Sequence, residues 1–324
     1  MRRPGVSSLL GLLISIVSLA AVAWWISRQD APRLPDSTQG WAWLALAAAV
    51  IACNFVLRGL RWHGIMRHAG VLHRQRDAIG LTTVGYMGNN VLPARGGELL
   101  KIGLLGTRTP ARHREVLGTV VAERVLDAAV LGALFVALTW AGVKGSRGEG
   151  GSATAVAAVL AAGALALIVY VQLRRRGRFE RFATTVRPVA GALKLFIRPA
   201  GIPLAVLSLL IWTLDGASFM LMAKSLGVGL DLLPALAVVV LASLAAAVPA
   251  APGYLGTFDA AMVVGLNAVD VTGGNAVSLL LMARFLYFIP VTFVGLGVLV
   301  FGYRGLRRSA PVAVDARFAT RSSQ

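Results

Sequence analysis

Cysteine is almost missing from this chain: Cys53 stands alone among 324 residues. That excludes an internal disulfide framework and a cysteine metal site. Acids are scarce as well, with 14 Asp and Glu against 32 Lys and Arg. Aromatic residues make up only 7%. The basic residues are punctuated by apolar runs instead of gathering on one aromatic-rich face, a pattern that argues against nucleic acid as a partner. The four histidines, His63, His68, His73 and His113, lie in basic segments without a carboxylate at metal-ligand spacing. There is no nucleotide-binding loop and no nucleophile with a recognisable base partner, so neither a cofactor nor a metal is expected.

What is abundant is apolar sequence. Hydrophobic residues make up 57% of the chain and charged ones 14%, more apolar surface than a soluble domain of this length needs to bury. The chain reads as an all-α polytopic membrane protein. Six apolar runs are long enough to span: Leu9 to Ile26, Trp41 to Leu57, Val116 to Ala141, Ala153 to Leu173, Ile202 to Ala223 and Val277 to Gly302. The first reads as a retained anchor, since Ala21-Val22-Ala23 is followed by Trp24-Trp25-Ile26 where a signal peptide would give way to a mature polar start. Two further apolar stretches, Leu81 to Gly106 and Leu232 to Leu266, are broken by Pro and Gly and read as re-entrant helical hairpins.

Charge sets the orientation. Of the 32 basic residues, 23 fall in segments assigned inside, five outside, and Arg95, Lys101, Arg124 and Arg284 in apolar runs. Both termini are therefore expected to be cytoplasmic. The heaviest basic block, 174–198, reads as a cytoplasmic linker, and 303–324 as a disordered basic tail. The segment Arg58 to Gly70 reads as an interfacial helix whose arginines touch anionic lipids.

The stretch Asn89 to Lys101 places Arg95, Glu98 and Lys101 beside Pro93, Gly96 and Gly97 inside an apolar run. Charge at membrane depth is costly, so such residues face a protein-lined cavity or one another. A second stretch repeats the order. Glu98 precedes Arg124 by 26 residues and Asp259 precedes Arg284 by 25, each acid following a Pro and Gly break. The halves, about 41–141 and 202–302 within a single domain 1–302, are expected to be inverted-topology repeats with a substrate site near the midplane.

Four motifs resemble one family. Asn89-Asn90-Val91-Leu92-Pro93 with Gly97-Glu98, Glu123-Arg124-Val125-Leu126-Asp127, Pro252-Gly253-Tyr254-Leu255-Gly256 with Asp259, and Arg284 six residues before Pro290 are similar to the lysylphosphatidylglycerol synthase transmembrane region, or flippase-like domain. The resemblance runs from Trp41 to Gly302. It implies a lipid-translocating membrane domain, with membrane lipid as substrate. In the multiple peptide resistance factors the domain moves aminoacylated phosphatidylglycerol, and stand-alone members are associated with glycolipid, polyprenyl-lipid or hopanoid pathways. Two departures matter. No stretch after Tyr303 is long enough for the cytosolic aminoacyltransferase domain, and Asp259 stands where Glu is commoner.

The candidate substrate-binding residues are Asn89, Asn90, Arg95, Glu98, Glu123, Arg124, Asp127, Pro252, Gly253, Asp259, Arg284 and Tyr287. Arg124 and Arg284 would hold a lipid phosphate, and Glu123, Asp127 or Asp259 a cationic headgroup or a coupling proton. The competing reading makes Glu123, Arg124 and Asp127 a structural ion-pair cluster reaching Arg284 or Asp215 across the bundle. Lys101 would snorkel toward the cytoplasm. The expected function is a lipid translocase in a bacterial-type inner membrane, compatible with a homo-oligomer and not an enzyme. The alternatives are a proton-coupled small-solute carrier and an intramembrane transferase acting on a lipid-linked substrate.

Overall fold

The computed structural model describes residues 6–92, 95–143, 199–246 and 251–303. Every regular element among the described residues is helical: α1 (Val6–Ile26), α2 (Thr38–His68), α3 (Gln75–Val91), α4 (Gly96–Gly106), α5 (His113–Trp140), α6 (Ile202–Ser225), α7 (Leu232–Ala245), α8 (Thr257–Ala268) and α9 (Gly273–Gly297). The apolar run 153–173, the basic linker 174–198 and the tail beyond Tyr303 lie outside the described residues.

Three helical stretches are long and apolar enough to cross a membrane: Thr38–His68, Pro199–Ser225 and Gly273–Gly302. At 1.5 Å per residue each exceeds the roughly 30 Å hydrocarbon core. The 28-residue α5 has the length as well, but it carries Glu123, Arg124 and Asp127.

Local chemistry sets the helix ends. Ser37 caps α2, its Oγ accepting from the Gly40 N–H at 3.1 Å. The helix stops at Gly70, whose φ of +72° suits glycine. α3 ends at Leu92, held extended at φ −92°, ψ 144° ahead of Pro93, as a residue before proline prefers. α4 restarts behind Arg95, whose left-handed φ of 56° is unusual for a non-glycine residue.

The two broken stretches fold as hairpins, α3 against α4 and α7 against α8. In the first the backbones nearly touch. A Cβ on Gly97 would meet the Gly85 carbonyl oxygen at 2.0 Å, and one on Gly88 would meet the Gly97 Cα at 2.5 Å. In the second, a short 3-10 turn at Pro252–Tyr254 bridges the break, with Gly253 at φ +66°. Asp259 accepts the Gly256 N–H at 2.8 Å and so caps the start of α8.

α2 packs most extensively on α6, and α9 packs on α3. The largest apolar core joins α2, α6, α7, α8 and α9 around Phe219, Met222, Val238, Met262 and Leu279. A second core around Trp62, Met66, Leu81, Leu105 and Val120 ties the far end of α2 to α3, α4 and α5. The first hairpin is thus braced by α2, α5 and α9, and the second by α6 and α1.

The sequence expectation fails at one boundary. The second helix does not stop at Leu57 but continues to His68, and it buries Arg58 at 7% exposure and Arg61 at 0%. These two arginines are interior charges, not lipid-facing residues of an interfacial segment, and the inside charge count falls by two. The reason is physical: each has acidic partners inside the bundle, so burial costs less than the bare charge would suggest.

Candidate functional site

Asn54, Arg58 and Arg61 follow one another at helical spacing on α2, so one face of that helix carries an amide and two guanidinium groups into the bundle. Arg58 donates to an Asp215 carboxylate oxygen at 2.5 Å and to the Tyr86 hydroxyl at 2.9 Å. Asn54 donates to the other Asp215 oxygen. One turn on, Arg61 donates to Asp127 at 2.6 Å and 3.1 Å, to Glu123 at 3.2 Å and to the Ser208 hydroxyl at 3.0 Å.

Glu123 is completely buried and also accepts from Lys101 at 2.9 Å. Lys101, at 3% exposure, points inward over the Trp62 ring. It does not snorkel, because Glu123 offers it a charge partner that lipid cannot. The Glu123 and Asp127 cluster reaches Arg61 and Lys101; Arg284 and Asp215, the partners expected across the bundle, are engaged elsewhere.

Arg124 sits beside this network in a different state. It lies 3.2 Å from Glu98, 3.8 Å from Glu123 and 3.4 Å from Asp127, with its side chain 34% exposed. Three carboxylates hold it electrostatically, yet among the described residues its buried Nε finds no well-aligned hydrogen-bond acceptor.

The second break closes on itself. Arg284 donates to Asp259 at 2.5 Å and 2.7 Å, and to the carbonyls of Gly253 at 2.6 Å and Tyr254 at 3.3 Å. A guanidinium with four such acceptors satisfies the backbone that the helix break leaves free.

Between the hairpins lies a cavity of about 400 Å³. Both halves line it: Asn54, Arg58, Tyr86, Asn90, Arg95, Arg124 and Asp127 from the first, and Trp212, Asp215, Tyr254, Tyr287 and Phe288 from the second. Asn90 stitches α3 to α9, donating to the Phe288 carbonyl at 3.2 Å and the Thr292 hydroxyl at 2.9 Å. Arg95 crosses from the first break to the second, donating to the Ala246 carbonyl at the end of α7 at 2.6 Å and resting over the Tyr254 ring.

Arg58 and Arg124 both have carboxylate partners. Arg95 has none among the described residues, which leaves the cavity wall with one uncompensated positive charge. The Trp212 indole Nε1 is buried in the same wall without an acceptor among the described residues. Asn54 Oδ1, an acceptor in the same lining, also has no partner among the described residues, so what the wall has in surplus is the positive charge of Arg95.

Of the residues singled out from sequence, Asn90, Arg95, Arg124, Asp127 and Tyr287 meet at this cavity. Pro252, Gly253 and Arg284 line an adjoining one with Asn90. Glu98, Glu123 and Asp259 stand behind the walls as ion partners, and Asn89 packs against Gly97. Tyr287 bonds the Ser218 hydroxyl and the Asp215 carbonyl. Sequence reasoning missed Arg58, Arg61, Tyr86 and Trp212, although the regular spacing of Asn54, Arg58 and Arg61 was a helical signal. Among the described residues no group of three His, Cys, Asp and Glu side chains could hold a metal.

Away from the cavity, His63 Nδ1 lies 2.7 Å from His73 Nε2, and His73 Nδ1 lies 2.7 Å from the Val71 carbonyl. The carbonyl can only accept, so His73 carries its proton on Nδ1 and receives one from His63. Burial pushes the His73 imidazole below its usual range despite the opposing pull of Val71 and Asp77.

Comparison with known proteins places these features. Glycosyltransferase AglD of Haloferax volcanii is 25% identical over 307 residues, covering 80% of this chain but only 48% of that protein, so the chain spans about half the length of that relative. A UPF0104 membrane protein of Methanothermobacter thermautotrophicus is 24% identical over 326 residues, covering 89% of this chain and 93% of the other. No solved structure matches. The model for the lysylphosphatidylglycerol synthase TM region matches residues 8–295, and the chain belongs to that family of membrane proteins.

Proposed function

We propose that the chain is a lipid translocase that passes an anionic, phosphate-bearing headgroup between leaflets through the cavity at Arg95. The observation that carries this reading is the uncompensated charge of Arg95 in a wall that it shares with the partly exposed Arg124. A phosphate supplies the countercharge that Arg95 lacks, with Arg95 and Arg124 as forked donors. In this reading the two broken hairpins are re-entrant elements of inverted repeats, both termini face the cytoplasm, and the membrane is a bacterial-type inner membrane. Asn90 and Tyr287 shape the cavity, while Glu98, Glu123 and Asp127 hold Arg124 in place.

Each buried carboxylate among the described residues already has a cation partner. None is left over as a proton carrier, which favours passive equilibration over proton coupling. Collapsing a pH gradient across sealed vesicles then leaves the rate unchanged.

The test is transbilayer movement of fluorescent phosphatidylglycerol and phosphatidylcholine in liposomes reconstituted with purified protein. Movement above protein-free liposomes, faster for the anionic lipid, supports the reading. No movement of either lipid rejects it. The name of the AglD relative favours one second reading, transfer of a sugar to a lipid acceptor. Appearance of a glycosylated lipid on addition of a sugar donor would select that reading instead.

A further inference from the structure

A second cavity, of about 390 Å³, adjoins the first and shares Asn90 and Phe288 with it. Its character differs. One side is the break at Pro252, Gly253 and Leu255, and the other is the α9 face of Leu281, Phe285 and Ile289. These α9 positions recur at one helical turn and so form a single stripe. Their exposures are 47%, 57% and 42%, and Leu255 stands at 41%. The stripe lies on Gly273–Gly302, which is long and apolar enough to cross a membrane, so in a bilayer an exposed apolar stripe on it meets hydrocarbon.

We propose that this groove is the path of the hydrocarbon tail of the same lipid whose headgroup occupies the cavity at Arg95, with Asn90 and Phe288 forming the portal between them. The inference rests on the translocase reading and narrows its substrate to an amphiphile carrying phosphate at one end and an aliphatic chain at the other. Three observations point to that occupant. The polar cavity carries the positive charge of Arg95 without a carboxylate partner among the described residues, which calls for an anion. The groove is apolar except at Asn90 and Arg284, and the charge of that guanidinium is already paired by Asp259, with two carbonyls taking further donors, which disfavours a second headgroup there. The two spaces lie on either side of Asn90 and Phe288, which places the polar and apolar ends of one molecule side by side. A small soluble anion would need the first cavity alone.

The portal is narrow because Phe288 packs edge-on against Phe258 and its carbonyl is tied to Asn90. A tail entering from lipid slides along the stripe while the headgroup passes the Asn90 amide. Bulk placed on the stripe should therefore block the lipid and spare the cavity.

The experiment uses the full chain in liposomes with fluorescent phosphatidylglycerol, comparing wild type with Leu281→Trp and Ile289→Trp. Val294→Trp serves as control, since Val294 is 55% exposed on the same helix and lies outside the groove. In parallel, glycerol 3-phosphate is titrated against thermal unfolding in detergent, which reads cavity binding without a tail. The expected result is that both groove variants move lipid at least about fivefold more slowly, a loss worth about 1 kcal/mol. Val294→Trp matches wild type, and glycerol 3-phosphate raises the Tm of all four proteins equally. If the groove variants move lipid as fast as wild type, the tail does not use the groove and the proposal is overturned while the translocase reading stands. If wild type moves no lipid yet glycerol 3-phosphate still binds, the translocase reading fails and this proposal with it. If the groove variants lose glycerol 3-phosphate binding too, the stripe is part of the headgroup site and the separation proposed here is wrong.

Discussion

The two halves of the molecule use the same parts to different ends. Each has a broken hairpin, an acid just past the break and an arginine on the next long helix. In the second half that arginine is consumed locally: Arg284 binds Asp259 and two carbonyls of its own break. In the first half the corresponding Arg124 is held among three carboxylates with its side chain 34% exposed, while Arg95 leaves its own break and reaches the end of α7 in the other. Satisfying the freed backbone of a broken helix and presenting charge to a ligand are competing uses of one guanidinium. In the proposed reading Arg284 serves as scaffold, whereas Arg95 and Arg124 present charge to the ligand in a cavity that both halves line.

The sharpest way to break that division is at the base of the first half. Arg61 is completely buried against Glu123 and Asp127. Arg61→Ala strands two carboxylates and is expected to cost about 3–5 kcal/mol, enough to abolish a monodisperse protein peak on size-exclusion chromatography. A wild-type profile and Tm would show that the network is not a requirement of the fold. Arg284→Ala comes next. It frees Asp259 and two carbonyls, with an expected loss of about 1–3 kcal/mol in thermal stability. Arg284→Lys recovers the ion pair but not the forked reach to Gly253 and Tyr254, so it should fall between the two. If Arg284→Ala instead keeps its stability and only stops lipid movement, the second arginine is a ligand group and the contrast between the halves dissolves.

Arg95 offers the reverse signature. Its left-handed backbone costs a non-glycine residue about 1 kcal/mol, the kind of strain that persists where a side chain is needed. Arg95→Gly should leave the Tm unchanged or raise it, while transport of anionic lipid falls about tenfold, and Arg95→Lys should restore part of the rate. Arg124→Ala should lose transport to a similar degree with less stability lost than Arg61→Ala. Transport at the wild-type rate in Arg95→Gly would remove the anion from the proposed site.

Much of this was legible before any coordinates. Pro93 with Gly96 and Gly97, and Pro252 with Gly253 and Gly256, announce helix breaks through backbone chemistry that is local and so readable. Intramembrane Arg124 and Arg284 announce themselves by their cost. The pairing was not legible, because it depends on which helices touch. By sequence alone Arg58 and Arg61 read as lipid-facing, since arginines after an apolar run ordinarily mark a helix leaving the membrane. Only Asp215, Glu123 and Asp127, contributed by α5 and α6, make burial of that α2 face affordable. Lys101 was misread for the same reason, its partner Glu123 lying on another helix.

The smallest predicted effect lies outside both sites and tests whether the junction between α2 and α3 is neutral scaffold. His73 bridges the Val71 carbonyl and His63, with Arg67 on the neighbouring turn and Asp77 at the start of α3. Its pKa is lowered in the folded protein by burial, so near the unfolded value of about 6.5 the unfolded chain binds more protons than the folded one. Stability contributed by the neutral ring is therefore present above that pH and is lost as pH falls below it. Protonating Nε2 also removes the acceptor that His63 needs. The Tm of the wild-type protein should drop by about 1–2 °C more between pH 7.5 and 5.5 than that of His73→Gln. Parallel curves for the two proteins would show that the histidine pair does not couple protonation to the junction. A drop confined to the lipid-transport rate, with Tm unchanged, would tie the pair to transport and not to the stability of the junction.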